Sequence, residues 1–191
     1  MNALIRLHNG LFDHIEKLAP TVMPTLARFL FAAVLFLYYW NSAITKLGKD
    51  GISALFSANA NMFGQMFPKA AEAVFWDISQ ATAFQKAVML AGTWAEFILR
   101  ILIVIGLFTR LAAIGMIGFV IVQSVVDLFG HGGLADPATF GAWFDRLPSS
   151  AIMDQRALWV FLLLYLVFRG AGPLSLDRFV FDRSASQSNA A

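Results

Sequence analysis

A chain of 191 residues with 59% apolar and only 14% charged side chains has too little charge to cover a soluble domain, where about a quarter of residues are charged. Its mean hydropathy of +0.68 points the excess apolar surface at lipid. Fourteen Lys and Arg against twelve Asp and Glu give a net charge of +2, spread along the chain; this is no nucleic-acid footprint, and the lack of cysteine excludes thiol redox chemistry, thiolate metal sites and disulfides within the chain.

Residues 1–20 lack the uninterrupted apolar core and small-residue cleavage site of a signal peptide and are expected to be retained. Leu4, Leu7, Leu11, Ile15 and Leu18 recur at helical spacing, which predicts an amphipathic helix. That helix either lies on the membrane surface or packs against one end of a bundle.

A hydrocarbon core about 30 Å thick needs about 20 apolar residues in a helix. Four stretches meet or approach that length, at about 25–47, 85–108, 110–129 and 152–169. Pro24 stands just before the first as a helix-start signal. The turn 106–110 is so short that the second and third spans must be antiparallel neighbours. Gly115 and Gly118 in the third span permit close helix approach.

The connection 48–84 carries Phe56, Phe63, Phe67, Phe75, Trp76 and Phe84 among few charges and is predicted to form interfacial helices. Residues 131–155, with Gly132, Gly133, Pro137 and Pro148, read as a shorter ordered cap. Residues 184–191 read as a disordered tail. The expected fold is therefore all-α: a single domain over 1–183, built as a four-transmembrane-helix bundle with an N-terminal amphipathic helix. With four spans both termini share one side. Seven basic residues fall on that side and six on the other, with Arg100 between, so the positive-inside rule leans slightly to cytoplasmic termini.

Glu96 lies near the middle of the second span, and Arg100 follows on the same face at i+4. An ionised side chain at that depth costs about 2.5–3.5 kcal/mol on insertion scales and calls for a partner, water or ligand. Two readings stand: an intrahelical Glu96–Arg100 ion pair, or a polar site facing the bundle interior. Asn41 and Lys46 of the first span and Gln123 and Asp127 of the third reach similar depths from the same side, so a cluster with Glu96 and Arg100 is geometrically plausible. The alternative for two of them is that Lys46 snorkels to the headgroups and Asp127 only ends its helix. Arg28 is expected to snorkel or to bind an acidic group. None of the three histidines, His8, His14 and His131, lies mid-span, which disfavours haem. The sequence carries no flavin or metal motif and no catalytic constellation.

Ala95-Glu96, followed ten residues later by Gly106-Leu107-Phe108-Thr109-Arg110, resembles the DoxX family, whose second helix carries a Glu and then a Gly-Leu-x-Thr-Arg turn. The first span, with Arg28 early and Lys46-Leu47 at its end, looks like that family's first helix. The segment from Gly170 to Ser175, Leu176 and Asp177 looks like its closing motif. The resemblance implies a multi-pass protein of the bacterial inner membrane, with Arg28, Gly106, Thr109, Arg110, Ser175 and Asp177 as motif positions. The family takes its name from a subunit of a thiosulfate:quinone oxidoreductase, and some members assemble with proteins handling thiol or superoxide stress. This sequence departs at Leu99 and Arg100, where the family favours small residues, and in its longer aromatic insert at 48–84. The expected function is an accessory or quinone-interacting subunit of a membrane redox system, its electrons supplied by soluble or membrane partner proteins. A scaffold recruiting redox or metal-handling partners is the alternative. A small permease ranks behind both, since four helices without an inverted repeat are few for alternating access. The oligomeric state is open, a homodimer being one option.

Overall fold

The computed structural model describes residues 2–180; the tail 184–191 lies outside them. Every regular element among the described residues is helical. Helix α1 (Asn2–Leu30) runs without a break into a π-helical stretch at Phe31–Phe36 and then into α2 (Leu37–Leu47). The amphipathic segment is thus continuous with the first span, and Pro24 does not start a helix. Proline in a helix interior removes one backbone hydrogen bond, and α1 contains both Pro20 and Pro24. Pro24 instead packs on a turn: a Cβ on Gly172 would lie 2.8 Å from the Pro24 Cβ. The stripe from Leu4 to Leu18 is exposed.

Gly48, at φ +57, ends α2. The following 3-10 turns at Gly48–Leu55 lead to α3 (Ala60–Met66) and α4 (Pro68–Ala73). Asn59 caps α3 by accepting from the Met62 N–H at 3.0 Å, and its side-chain amide donates to the Lys46 carbonyl at 3.1 Å. This connection has its own core of Ala54, Met62, Phe63 and Ala71 against Met89. The expectation of helices at 48–84 therefore holds.

Helix α5 (Ala83–Ile105) opens on a capping box in which Thr82 and Gln85 satisfy each other's backbone N–H, the usual device for orphan donors at a helix start. It ends at Gly106, which sits at φ +72, a conformation that costs glycine nothing. Three residues later α6 (Thr109–Val125) begins, running on through a π-helical turn to Gly130. A second π-helical stretch, Ala151–Arg156, leads into α7 (Ala157–Arg169). Of the two glycines expected to let helices approach, Gly115 does so, since a Cβ there would lie 3.0 Å from Leu99. Gly118 faces open space.

Four helical segments are long and apolar enough to cross a membrane: Leu4–Leu55, Ala83–Ile105, Thr109–Gly130 and Ala151–Arg169. They mark the chain as a multi-pass membrane protein in class. Phe31, Leu35, Tyr39, Ile103, Met116, Val120, Leu163 and Leu166 interlock between them as a buried core. Val34, Leu37, Ile98, Ile114, Leu158 and Phe161 point outward and stay exposed. This inside-out pattern suits helices whose outer surroundings are as apolar as their core.

Candidate functional site

Lys46 and Glu96 form an ion pair in the interior. Lys46 is 5% exposed and Glu96 is fully buried. Lys46 therefore does not snorkel. Its ammonium also approaches the Ser42 hydroxyl at 3.4 Å and lies 5.7 Å from the Phe119 ring centroid. Of the two readings of Glu96 and Arg100, the intrahelical ion pair is not formed. One Glu96 oxygen serves Lys46, and the other, Oε1, is buried with no partner. The physical reason is direction: an arginine can swing around its helix, and Arg100 lies instead among rings. Its guanidinium carbon sits 5.8, 5.1 and 4.7 Å from the ring centroids of Phe36, Trp40 and Phe97. All three of its nitrogens are buried without a hydrogen-bond partner.

A second ion pair joins Asp127, which is partly exposed, to the buried Arg156. Arg156 also donates to Ser124 Oγ at 3.0 Å and is 5% exposed. Asp127 thus does more than end its helix. Between the two pairs stands Tyr39, fully buried, with an unpartnered hydroxyl within electrostatic reach of Glu96, Asp127 and Arg156. Gln123 donates from Nε2 to the Tyr38 hydroxyl at 3.0 Å, while its Oε1 is buried and unpartnered.

These groups border a cavity of about 210 Å³ whose polar lining is Ser42, Lys46, Gln65, Gln123, Asp127 and His131, with Met66, Phe119, Val122 and Val126 as apolar walls. A water takes about 30 Å³, so the space suits several waters or one small ring. The structure brings Lys46, Gln123 and Asp127 together here, with Glu96 one bond deeper through Lys46. It separates Arg100 and Asn41, neither of which lines this cavity; Asn41 is exposed.

Four participants were not singled out from sequence. Arg156, at the start of the fourth span, and Tyr39, within the first, carry no motif or spacing that marks them in the sequence. His131, set aside as a loop residue, lies at the cavity mouth with its Nε2 3.4 Å from the Gln65 carbonyl. Gln65 sits in α3, a helix whose placement over the cavity depends on tertiary packing.

The motif positions build something else, a clasp at the opposite end. Arg28 does not snorkel, and its hydrogen bonds go to carbonyls rather than to an acid, with Asp177 within electrostatic reach. Its Nε donates to the Ile103 carbonyl at 3.1 Å, Nη2 to Val104 at 2.7 Å, and Nη1 to Ala171 at 3.1 Å and Leu174 at 2.5 Å. It thereby satisfies the last carbonyls of α5 and the turn after α7. Asp177 accepts the Phe108 and Thr109 N–H groups at 2.6 and 3.0 Å, capping α6. Its own N–H returns to the Gly106 carbonyl at 2.7 Å. Ser175 donates to the Gly172 carbonyl at 2.6 Å. Thr109 is buried with its hydroxyl unpartnered, and Arg110 is exposed beside Gly170.

No protein-family model matches this chain, and no curated protein or solved structure is significantly similar to it.

Proposed function

We propose that this chain is a DoxX-like, quinone-interacting subunit of a bacterial inner-membrane redox system, built as a four-helix bundle capped by the segment 48–84. The observation that carries this reading is the polar cavity wired through Lys46 to a buried carboxylate that still has one free oxygen. A quinone head group is a flat ring with acceptor oxygens that become hydroxyl donors on reduction. The cavity offers both kinds of partner. Lys46 donates, and the orphaned Gln123 Oε1 accepts. Phe119 and Val122 supply the apolar walls that such sites combine with a few polar groups.

When bound, the quinone supplies two-electron redox chemistry, with electrons from a partner protein. The chain's own residues orient the ring and move protons. Lys46 would donate to a ring oxygen in either redox state, and Gln123 Oε1 would accept from a hydroxyl of the reduced form. Glu96 and Asp127, each tied to a cation, hold or release a proton at a carboxylate oxygen. The test is binding of decylubiquinone to the purified protein in nanodiscs. Saturable binding in the micromolar range that weakens at least about tenfold in Glu96→Gln is expected, a loss of about 1.4 kcal/mol. Unchanged binding removes Glu96 from the site.

A second reading, a scaffold that recruits soluble partners, draws on the cap aromatics Phe56, Phe75 and Phe84, which are 74%, 92% and 73% exposed. Large exposed apolar groups at an interface serve either a lipid surface or a partner. Copurification of a soluble redox protein from native membranes, lost on Phe75→Ser, favours this reading. A protein that purifies alone removes it.

A further inference from the structure

Three buried charges stand where two would balance: Lys46, Arg100 and Glu96 are respectively 5%, 0% and 0% exposed. The single carboxylate serves only Lys46. Arg100 is left with no acceptor for its guanidinium and three aromatic rings around it. Cation–π contacts stabilise a cation, but they leave the N–H groups without acceptors, which is costly in a low dielectric. Arg100 stands one helical turn from Glu96 on the same face, and Glu96 is the charge that acts on it most directly. The free Glu96 Oε1 completes the picture: one carboxylate within reach of two cations, bonded to one of them.

We propose that Arg100 is the reserve partner of Glu96, so that the carboxylate passes from Lys46 to Arg100 when the Lys46 ammonium turns to a ligand in the cavity. The purpose given to the exchange rests on the reading of the cavity as a ligand site; the exchange itself does not. Arg100 is a positioning residue, acting through Glu96 without touching the ligand. Its planar fork suits a bidentate carboxylate pair, and Phe36, Trp40 and Phe97 hold it beside its helix while Lys46 has the anion. The π-helical stretch Phe31–Phe36 ends at one of those rings. Such stretches mark places where a helix gives up regularity for a local function. Tyr39, whose hydroxyl is also within reach of Glu96, is the neutral neighbour that the carboxylate passes.

The exchange is read without ligand by thermal unfolding in one detergent, using Lys46→Met, Arg100→Met and the double variant. No hydrogen bond or ion pair joins Lys46 to Arg100, and direct repulsion between the two cations persists when Glu96 is neutralised, so the Glu96→Gln background isolates the coupling that runs through the carboxylate. Each single change is expected to move the midpoint little, because the other cation keeps the carboxylate paired. The double variant is expected to fall below the sum of the two by about 5 °C or more. With Glu96→Gln in the background the excess disappears. In the Lys46→Met protein, Arg100→Lys keeps the midpoint and Arg100→Leu does not, a rescue that simple packing would not give.

Additive single changes overturn the proposal. So does a Lys46→Met protein that fails to fold while Lys46→Met with Glu96→Gln folds, because Arg100 then does not take the carboxylate. The two readings fail separately. Non-additivity without decylubiquinone binding keeps the exchange and removes the quinone site. Quinone binding with an additive cycle does the reverse.

Discussion

Lys46 reaches across fifty residues of sequence to pair with Glu96, while Arg100, four residues from Glu96 on the same helix, does not. This choice of partner divides the consequences of losing each charge. Removing one member of a buried pair leaves the other uncompensated, at about 3–5 kcal/mol. Glu96→Gln strands two cations and is expected to be the most destabilising single change at the site, by about that amount. Glu96→Gln with Lys46→Met removes one stranded charge and recovers part of the loss. Thermal unfolding in detergent checks both, and a Glu96→Gln protein as stable as the wild type would show that the pair contributes nothing.

At the other end, Arg28 and Asp177 act as struts. Arg28 donates to four carbonyls from two parts of the chain. Arg28→Lys keeps the charge but not the planar fork, so most of these carbonyls lose their donor. A loss of about 2–4 kcal/mol is expected, since a charged hydrogen bond contributes about 1.5–3 kcal/mol. Asp177→Ala uncaps α6 and should cost about 1–2 kcal/mol. Neither change should alter decylubiquinone affinity once the protein is folded, because the clasp and the cavity lie at opposite ends of the helices. A binding loss at unchanged stability would place the motif residues in the site instead.

Gly106 is the tightest point of that clasp. Its φ of +72° already disfavours a side chain, and a Cβ there would meet Ser175 Cβ at 2.7 Å and Arg28 Cζ at 2.8 Å. Gly106→Ala is therefore expected to cost about 1–3 kcal/mol of strain and to displace the Arg28 fork. Adding Ser175→Gly removes one clash and should recover part of the loss, whereas Gly118→Ala, in open space, should be neutral.

The spans were legible because length and hydropathy are local properties, and the apolar helical segments Ala83–Ile105, Thr109–Gly130 and Ala151–Arg169 agree with the sequence boundaries to within three residues. The start of the first span was not legible. Pro24 carries a start signal, yet its ring is accommodated against the Gly172 turn, which only the tertiary structure supplies. At the site, Glu96, Lys46, Gln123 and Asp127 stood out as polar groups in apolar runs. Their pairing did not, because i+4 geometry makes Arg100 the obvious partner and says nothing about a lysine on another helix. The Asp127–Arg156 pair leaves no mark in the sequence for a similar reason. The π-helical stretch Ala151–Arg156 carries the last span about one and a half turns beyond its most apolar part and draws that arginine inward to Asp127. The clasp motifs were visible as words, but a carbonyl-binding role leaves no compositional mark.

The loop after α6 offers a pH-dependent signal outside the spans. Asp136 accepts from Thr139 Oγ1 at 2.7 Å and from the Ala138 N–H at 3.1 Å. The Thr139 side-chain bond, followed by the backbone bond from Ala138, holds its carboxyl below the usual carboxylate range. A depressed folded value means the contribution is present above the unfolded value, about 3.9, and is lost as pH falls through the folded one. Amide protection at 138–140, taken relative to the unfolded chain at the same pH, should therefore fall below about pH 4, with the α6 amides unaffected. Asp136→Asn should remove that pH dependence. Protection that stays constant through acid pH in the wild type would show that the carboxylate does not hold this turn.

Gln123 separates occupancy of the cavity from the integrity of its walls. Its Nε2 bonds Tyr38 at 3.0 Å while its buried Oε1 has no partner in the chain, so a ligand donor is the natural occupant of that oxygen. Gln123→Leu removes one hydrogen bond to a ligand, about 0.5–1.5 kcal/mol, and an orphaned acceptor besides. The folded state should therefore be as stable as the wild type or slightly more so, while binding of the reduced quinone, which brings hydroxyl donors to that oxygen, weakens roughly tenfold. The oxidised form, decylubiquinone, has only acceptor oxygens and should bind nearly as before. His131→Gln, at the exposed mouth, should change affinity by less than about threefold, in keeping with a rim position. If Gln123→Leu leaves both redox forms bound as before, the ring does not reach this end of the cavity, and the quinone assignment has to move away from it.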